Sequence, residues 1–237
     1  MNLYDSIFKR KSIRKYDMTP LSDEALTEIE NFAYNLTPLY EEIRIEYEIV
    51  SHVKNIMPVN APHYFMISSE NKDGYLMNVG FMFQQMNLFL ASKGFGSCWL
   101  GMARPMEKLE KNLEFVIILC FGKAIESPYR ELSEFKRKSL SEISSGQDDR
   151  LECARLAPSA TNSQNWFFVA NDGKIHIYQK KVNPVKMIIY GKMNQIDIGI
   201  ATCHLYVATE HQGKKPYISK DNGAEELQGY TYRLTIE

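Results

Sequence analysis

The run Ala157-Pro158-Ser159-Ala160-Thr161-Asn162-Ser163-Gln164-Asn165-Trp166 decides how this chain is read. Small and amide-bearing residues stand here between two regular elements. Residues 148–156 read as a helix that stops at Pro158. Trp166 to Ala170 and Lys174 to Gln179 read as strands flanking Asn171-Asp172-Gly173, a strong hairpin signal. A loop so placed lets backbone and short side chains approach the edge of a flat polar ligand, with Ser159, Asn162 and Gln164 as hydrogen-bonding groups. The competing reading is an ordinary Asn/Ser-rich loop, and the length of the run makes it more specific than a lone glycine motif.

Working backwards, residues 126–147 turn polar, with Pro128, Ser144, Ser145 and Gly146, and read as a connector. Before them, Phe115 to Phe121 is an unbroken apolar run that suits a central strand covered on both faces, preceded by a short polar helix. The segment Tyr75 to Ser92 is apolar on nearly every side, which only a helix buried by neighbours all round tolerates. It ends at Gly94 and leads into Gly94-Phe95-Gly96-Ser97-Cys98-Trp99-Leu100-Gly101. The glycines of that loop permit close backbone approach, and Trp99 and Leu100 offer cover for an aromatic face. A helix end followed by a core Trp is the alternative. Ile43, Ile45, Tyr47 and Ile49 alternate with charged residues as in a half-buried strand, and Tyr64 to Ile67 reads as a buried one. Ser22 caps a helix whose stripe is Leu26, Ile29, Phe32 and Ala33. Working forwards, a long helix is expected from about Gln195 to His211, then a final strand from Tyr230 to Ile236.

The chain opens on Arg10-Lys11-Ser12-Ile13-Arg14. Two guanidinium groups, an ammonium and a hydroxyl within five residues match the oxygens of a phosphate, Arg bidentately and Ser at short range. Taken alone, such a run reads more readily as a solvated basic tail.

Composition sets the frame. Of 237 residues, 44% are hydrophobic and 24% charged, as in an ordinary globular protein, and the net charge of -1 gives no reason to expect nucleic acid or a membrane as partner. The segment Met1 to Arg10 has charges and no apolar run behind it, so no secretory signal is expected. Cys98, Cys120, Cys153 and Cys203 form no CxxC pair and read as buried free thiols, which fits a reducing cytoplasmic compartment. His63, His176, His204 and the other two histidines show no metal-ligand spacing, so no metal site is expected.

Two long segments echo each other. Asn78-Val79-Gly80 and Asp197-Ile198-Gly199 occupy the same place before an apolar helix, and Gly94 and Gly213 close the two helices. The string Phe-Lys-Arg-Lys-Ser occurs at Phe8 to Ser12 and again at Phe135 to Ser139. Apolar helices often end in Gly and short strings recur by chance, but the echo reads as a duplication, with two half-copies packed as the subunits of a dimer.

Together, RKSIRKY near the start, GFGSCWLG after a buried helix and APSATNSQNW before a strand resemble the nitroreductase family of flavoproteins, over most of the chain from Phe8 to Val169. The stretch Arg137 to Ile143 is similar to the way such domains end. The resemblance implies an α+β fold, a central mixed sheet flanked by helices, with a first half at residues 1–143, a second at 144–237 and the monomeric chain forming an internal pseudo-dimer. It implies FMN as cofactor, its phosphate held by Arg10, Lys11, Ser12 and Arg14 with Arg137 or Lys138 adding charge. Pro158, Ser159, Ala160 and Asn162 line the isoalloxazine from one side; Trp99, Leu100 and Gly101 approach the other. The family order differs here, since the APS motif follows the GSCW segment. The first half lacks an APS motif at Asn35-Leu36-Thr37-Pro38 and the second lacks GSCW at Gly213-Lys214-Lys215-Pro216, so a single composite site and one FMN per chain are expected. Asn165 stands where the family has Pro. The activity implied is NAD(P)H-dependent, ping-pong reduction of a nitroaromatic, quinone or similar small acceptor. With no GxGxxG turn, the nicotinamide is expected to stack on the flavin, and no protein acid, base or nucleophile is required. Flavin-fragmenting or dehalogenating chemistry on the same fold, or flavin binding without turnover, are the alternatives.

Overall fold

The computed structural model describes residues 2–56, 58–106 and 113–237, with the side chains of residues 184–189 outside the description. The elements in chain order are α1 (Leu3–Ile7), α2 (Asp23–Tyr34), β1 (Ile45–Val50), β2 (His63–Ser69), α3 (Tyr75–Ser92), β3 (Gly96–Leu100), β4 (Glu114–Gly122), α4 (Leu140–Ile143), β5 (Ser144–Ser145), α5 (Arg150–Arg155), β6 (Trp166–Asn171), β7 (Lys174–Lys180), α6 (Pro184–His211), β8 (Ile218–Ser219) and β9 (Tyr230–Ile236). Short 3-10 turns cover Leu132–Glu134 and Ala160–Asn162.

The α+β class holds, with the sheet divided in two. Strands β1-β2-β4-β3 form an antiparallel sheet from residues 45–122, and β5-β6-β7-β9-β8 a mixed sheet in which only β5 and β6 run parallel. Strand β4 lies between β2 and β3, which accounts for its unbroken apolar run. Asp172 and Gly173, both at positive φ, close the β6–β7 hairpin, with Asn171 paired to Lys174. The segment Gly96–Leu100, read as a loop, is a strand instead, because its backbone pairs with β4 from Gly122 back to Ile118.

Helices α3 and α6 lie side by side, and one hydrophobic core joins them to both sheets, from Phe65 and Leu119 to Phe168, Ile177 and Leu234. Full burial of a Phe such as Phe83 contributes about 2–3 kcal/mol. The helices meet backbone to backbone at the echoed glycines. A methyl group on Gly80 would collide with the carbonyl of Ile196, and one on Gly199 with the carbonyl of Met77. Each glycine thus meets the backbone three residues before the other.

Helix α6 begins at Pro184, eleven residues before Gln195, where its start was expected. Proline at the first helical position gives up an N–H that would be unpaired anyway, a signal that apolar periodicity does not carry. The polar stretch 126–147 is more ordered than a connector: it holds the 3-10 turn, α4 and β5, and buries Phe135. The short polar helix expected before Phe115 falls on residues 107–112, outside the described residues. All four cysteines are free and buried. Among the described residues no helix is long and apolar enough to cross a membrane, and no group of side chains has metal-ligand geometry.

Candidate functional site

The basic segment is no tail. Its backbone is stitched to the first sheet and to the chain beyond it: Ile13 N–H donates to the Ser97 carbonyl at 3.0 Å, Arg130 N–H to the Lys9 carbonyl at 2.9 Å, and Arg10 bridges Tyr129. Ile13 and Tyr16 pack in a small core with Cys98, Leu100, Ile118 and Cys120. This anchoring carries Arg10 inward until it is 1% exposed. Its Nη2 donates to Ser12 Oγ at 3.0 Å, while Nε and Nη1 have no partner among the described residues. Arg130 Nε donates to the Arg10 carbonyl at 3.1 Å, and the Arg130 guanidinium sits 3.7 Å from the centre of the Phe135 ring. Arg137 lies 5.7 Å from that ring. Burial, and then repulsion from Arg130 and Arg137, brings Arg10 down to about 9. Burial, then Arg130, brings Arg137 down to about 10. None of these three guanidiniums is in an ion pair among the described residues. A buried cation with unpaired donors is costly unless an anion meets it, so the cluster has the chemistry of an anion cradle. Lys11 is half-buried beside it and Arg14 is exposed.

The loop 157–164 is held from behind. Arg137 donates through Nε to the Ala157 carbonyl at 3.1 Å, through Nη2 to the Leu156 carbonyl at 3.3 Å and through Nη1 to Asn162 Oδ1 at 2.6 Å. Lys138 Nζ donates to the carbonyls of Ser163 and Gln164 at 3.0 and 3.1 Å, and its N–H to Gln164 Oε1 at 2.8 Å. Both residues precede the 143/144 boundary yet fasten to the loop beyond it. Gln164 N–H donates to Ser159 Oγ at 3.0 Å, and Asn162 Nδ2 to the Lys136 carbonyl at 2.7 Å. The side chains of Ser159, Asn162 and Gln164, expected to meet a ligand edge, therefore hold the loop itself. They stabilise an unusual backbone, with Thr161, Asn162 and Gln164 at φ of 52°, 57° and 49°. Pro158 is buried, and Ala160 and Ser159 are partly exposed.

Asp197 of α6 accepts the Ala160 N–H at 3.0 and 3.1 Å on its two oxygens, and burial pushes its carboxyl up to about 8. Asn165 donates from Nδ2 to Asn194 Oδ1 at 3.2 Å. Trp99 of β3 is partly exposed and Leu100 buried. A methyl group on Gly101 would stand 2.9 Å from Met193 Sδ, so α6, which holds Ala160 through Asp197, also reaches the end of β3. Trp99 Nε1 donates to Gln84 Oε1 at 3.3 Å, and Gln84 meets His204. Arg10, Ser12 and Arg137 thus come together, as do Arg137 and Lys138 with the loop. Arg130, Asp197, Gln84 and His204 were missed. The echo of Asn78 at Asp197 was a signal for one of them; nothing in the spacing marked the others.

The other side of the helix pair is built differently. Asn78 Oδ1 accepts the N–H groups of Leu39 and Tyr40 at 2.7 and 3.1 Å, as Asp197 does for Ala160. There, however, the loop carries Tyr40, whose ring lies hard against Gly74. Arg233 Nε donates to Gln179 Oε1 at 3.0 Å, and Lys220 Nζ to the Arg233 carbonyl.

The chain is similar over residues 2–209 to the protein family described as "Putative TM nitroreductase". A crystal structure of a "putative nitroreductase" from Thermotoga maritima aligns with 100% of this chain and 93% of its own, at 21% identity and a TM-score of 0.71. A nitroreductase family protein from Clostridium difficile aligns with 62% of this chain and 99% of its own, at 22% identity and a TM-score of 0.50. A nitroreductase with bound FMN from Bacteroides fragilis aligns with 52% of this chain and 89% of its own, at 15% identity and a TM-score of 0.43. No curated protein matches. On the family match across residues 2–209, together with a fold shared along its whole length, this chain belongs to that nitroreductase family.

Proposed function

We propose that the chain is an FMN-dependent oxidoreductase that uses NAD(P)H to reduce a nitroaromatic, quinone or similar small acceptor. The observation that carries the reading is Arg10, a guanidinium 1% exposed, with Nε and Nη1 unpartnered and two further guanidiniums beside it. Such a cradle fits a phosphate monoester. Arg10 and Ser12 would hold that phosphate, with Lys11, Arg14, Arg130 and Arg137 adding charge. Lys138, tied to the loop, acts as a fastener. Through backbone groups, Pro158, Ser159, Ala160 and Asn162 would line one face of the isoalloxazine and Trp99, Leu100 and Gly101 the other.

FMN, when bound, would supply the two-electron chemistry by which NAD(P)H reduces the acceptor in a ping-pong cycle. The chain's own part is placement. Arg137, Lys138 and Asp197 keep the 157–162 loop in its left-handed turn, and β3 with α6 forms the opposite wall.

The reciprocal glycine contact and the matched roles of Asn78 and Asp197 support two related halves, residues 1–143 and 144–237, acting as an internal pseudo-dimer in a monomeric chain. Tyr40 against Gly74 supports one FMN per chain, since small residues stand at the loop that faces Asp197. Buried free thiols fit a reducing cytoplasm.

The test is the visible spectrum of the purified chain with released FMN quantified, followed by NAD(P)H oxidation with and without an acceptor. One FMN per chain and acceptor-dependent oxidation are expected. Two FMN per chain overturn the single site. FMN without oxidation overturns the enzyme and leaves a flavin-binding protein.

A further inference from the structure

Three hydrogen bonds in series cross the buried centre of the protein. Trp99 Nε1 donates to Gln84 Oε1 at 3.3 Å; Gln84 Nε2 lies 2.9 Å from His204 Nε2; His204 Nδ1 lies 2.8 Å from the Cys153 carbonyl. Gln84 and His204 have no exposed surface. The ends of the line fix every proton in it. A backbone carbonyl can only accept, so His204 carries its hydrogen on Nδ1. Burial holds the imidazole down to about 3, so the ring stays neutral and Nε2 keeps its lone pair. Gln84 must then donate to it from Nε2, which turns Oε1 towards the indole N–H, a group that can only donate. The flipped amide would fail at both ends.

The line joins two walls. Trp99 belongs to β3, which runs on into Leu100 and Gly101. Cys153 belongs to α5, which runs on through Leu156 into the 157–162 loop. Between them stand α3, carrying Gln84, and α6, carrying His204. We infer that Gln84 and His204 are positioning residues that brace the Trp99 wall against the α5–loop wall and set the width of the flavin slot between them. This rests on the flavin site proposed above. Neither residue touches the reacting atoms; both act through Trp99 and α5.

The test is made in a Trp166→Phe background with excitation at the red edge, so that Trp99 is the one tryptophan excited. Trp166 Nε1 is buried without a partner among the described residues, so that change breaks no hydrogen bond found there. In flavin-free protein, Gln84→Leu and His204→Leu are expected to shift Trp99 emission and raise its quenching by acrylamide. Both should weaken FMN binding about tenfold, the loss of one net hydrogen bond. His204→Gln keeps one donor and one acceptor and is expected to restore both readings. Unchanged fluorescence and FMN affinity in both folded leucine variants overturn the brace. Should those variants fail to fold, nitrogen NMR of the histidine-labelled wild-type chain decides. An Nδ1–H tautomer constant from about pH 5 to 8 is expected, and an Nε2–H tautomer or a titrating ring overturns the assignment. Fluorescence and tautomer are read without flavin. A wild-type chain that takes up no FMN therefore sinks the proposed function separately from the brace.

Discussion

Gly80 of α3 and Gly199 of α6 stand in a reciprocal relation: each lies against the carbonyl three residues before the other, Ile196 and Met77. Two helices can approach this closely only where neither has a Cβ in the way. Replacement of Gly199 by alanine should drive the backbones apart and cost about 1–3 kcal/mol, the usual range for overpacking a core. The midpoint of urea unfolding measures it. An unchanged midpoint would show that the helices do not meet there.

As the proposed phosphate ligand, Arg10 would bind at the expense of stability. Arg10→Met removes two unpartnered buried donors, so the flavin-free chain should become more stable by about 1–3 kcal/mol. The same change should weaken FMN binding by about 100-fold, the loss of a charged hydrogen bond or two. Arg14 is exposed, and Arg14→Ala should cost less than about tenfold. Thermal melts without FMN and titrations with it measure the two effects, and a destabilised, FMN-competent Arg10→Met chain would contradict the cradle.

Arg137 acts through shape as much as charge. Its fork reaches the carbonyls of Leu156 and Ala157 and the Asn162 side chain at once, which a lysine cannot do. Arg137→Lys should therefore speed amide hydrogen exchange across residues 157–164 while the rest of the chain stays protected. Wild-type protection in that loop would mean that the guanidinium does not hold it.

Asp197 gives stability a definite slope with pH. Its carboxyl sits at about 8 in the fold against 3.8 in the unfolded chain. Between those values the unfolded chain has released a proton that the folded chain keeps, so stability present in acid is lost as pH rises from about 4 to about 8. Asn78 does the matching work with an amide, so Asp197→Asn should keep the Ala160 bond and flatten the slope. It should gain on the order of a few kcal/mol at about pH 8. His204 has the opposite sign: held at about 3 against 6.5, it costs stability as pH falls below 6.5 and should be untouched by the change. Denaturant unfolding of both chains at about pH 5, 6.5 and 8 compares them; parallel pH profiles would refute the role of Asp197.

Much of the fold was local information. The period of Tyr75 to Ser92, the alternation in β1, the apolar run of β4 and the Asn171-Asp172-Gly173 turn each specify an element within a few residues, because side-chain direction and turn geometry follow from neighbours along the chain. The three motifs named the family for the same reason, as short strings with fixed chemistry. What only the tertiary structure decided is how those strings are used. Arg10 and Arg130 meet across 120 residues, as do Gln84 and His204. The loss of water around Arg10, the raised carboxyl of Asp197 and the spending of Ser159, Asn162 and Gln164 on their own loop all depend on which groups surround them. Burial and electrostatics are properties of the packed surroundings, and no pattern along the chain carries them.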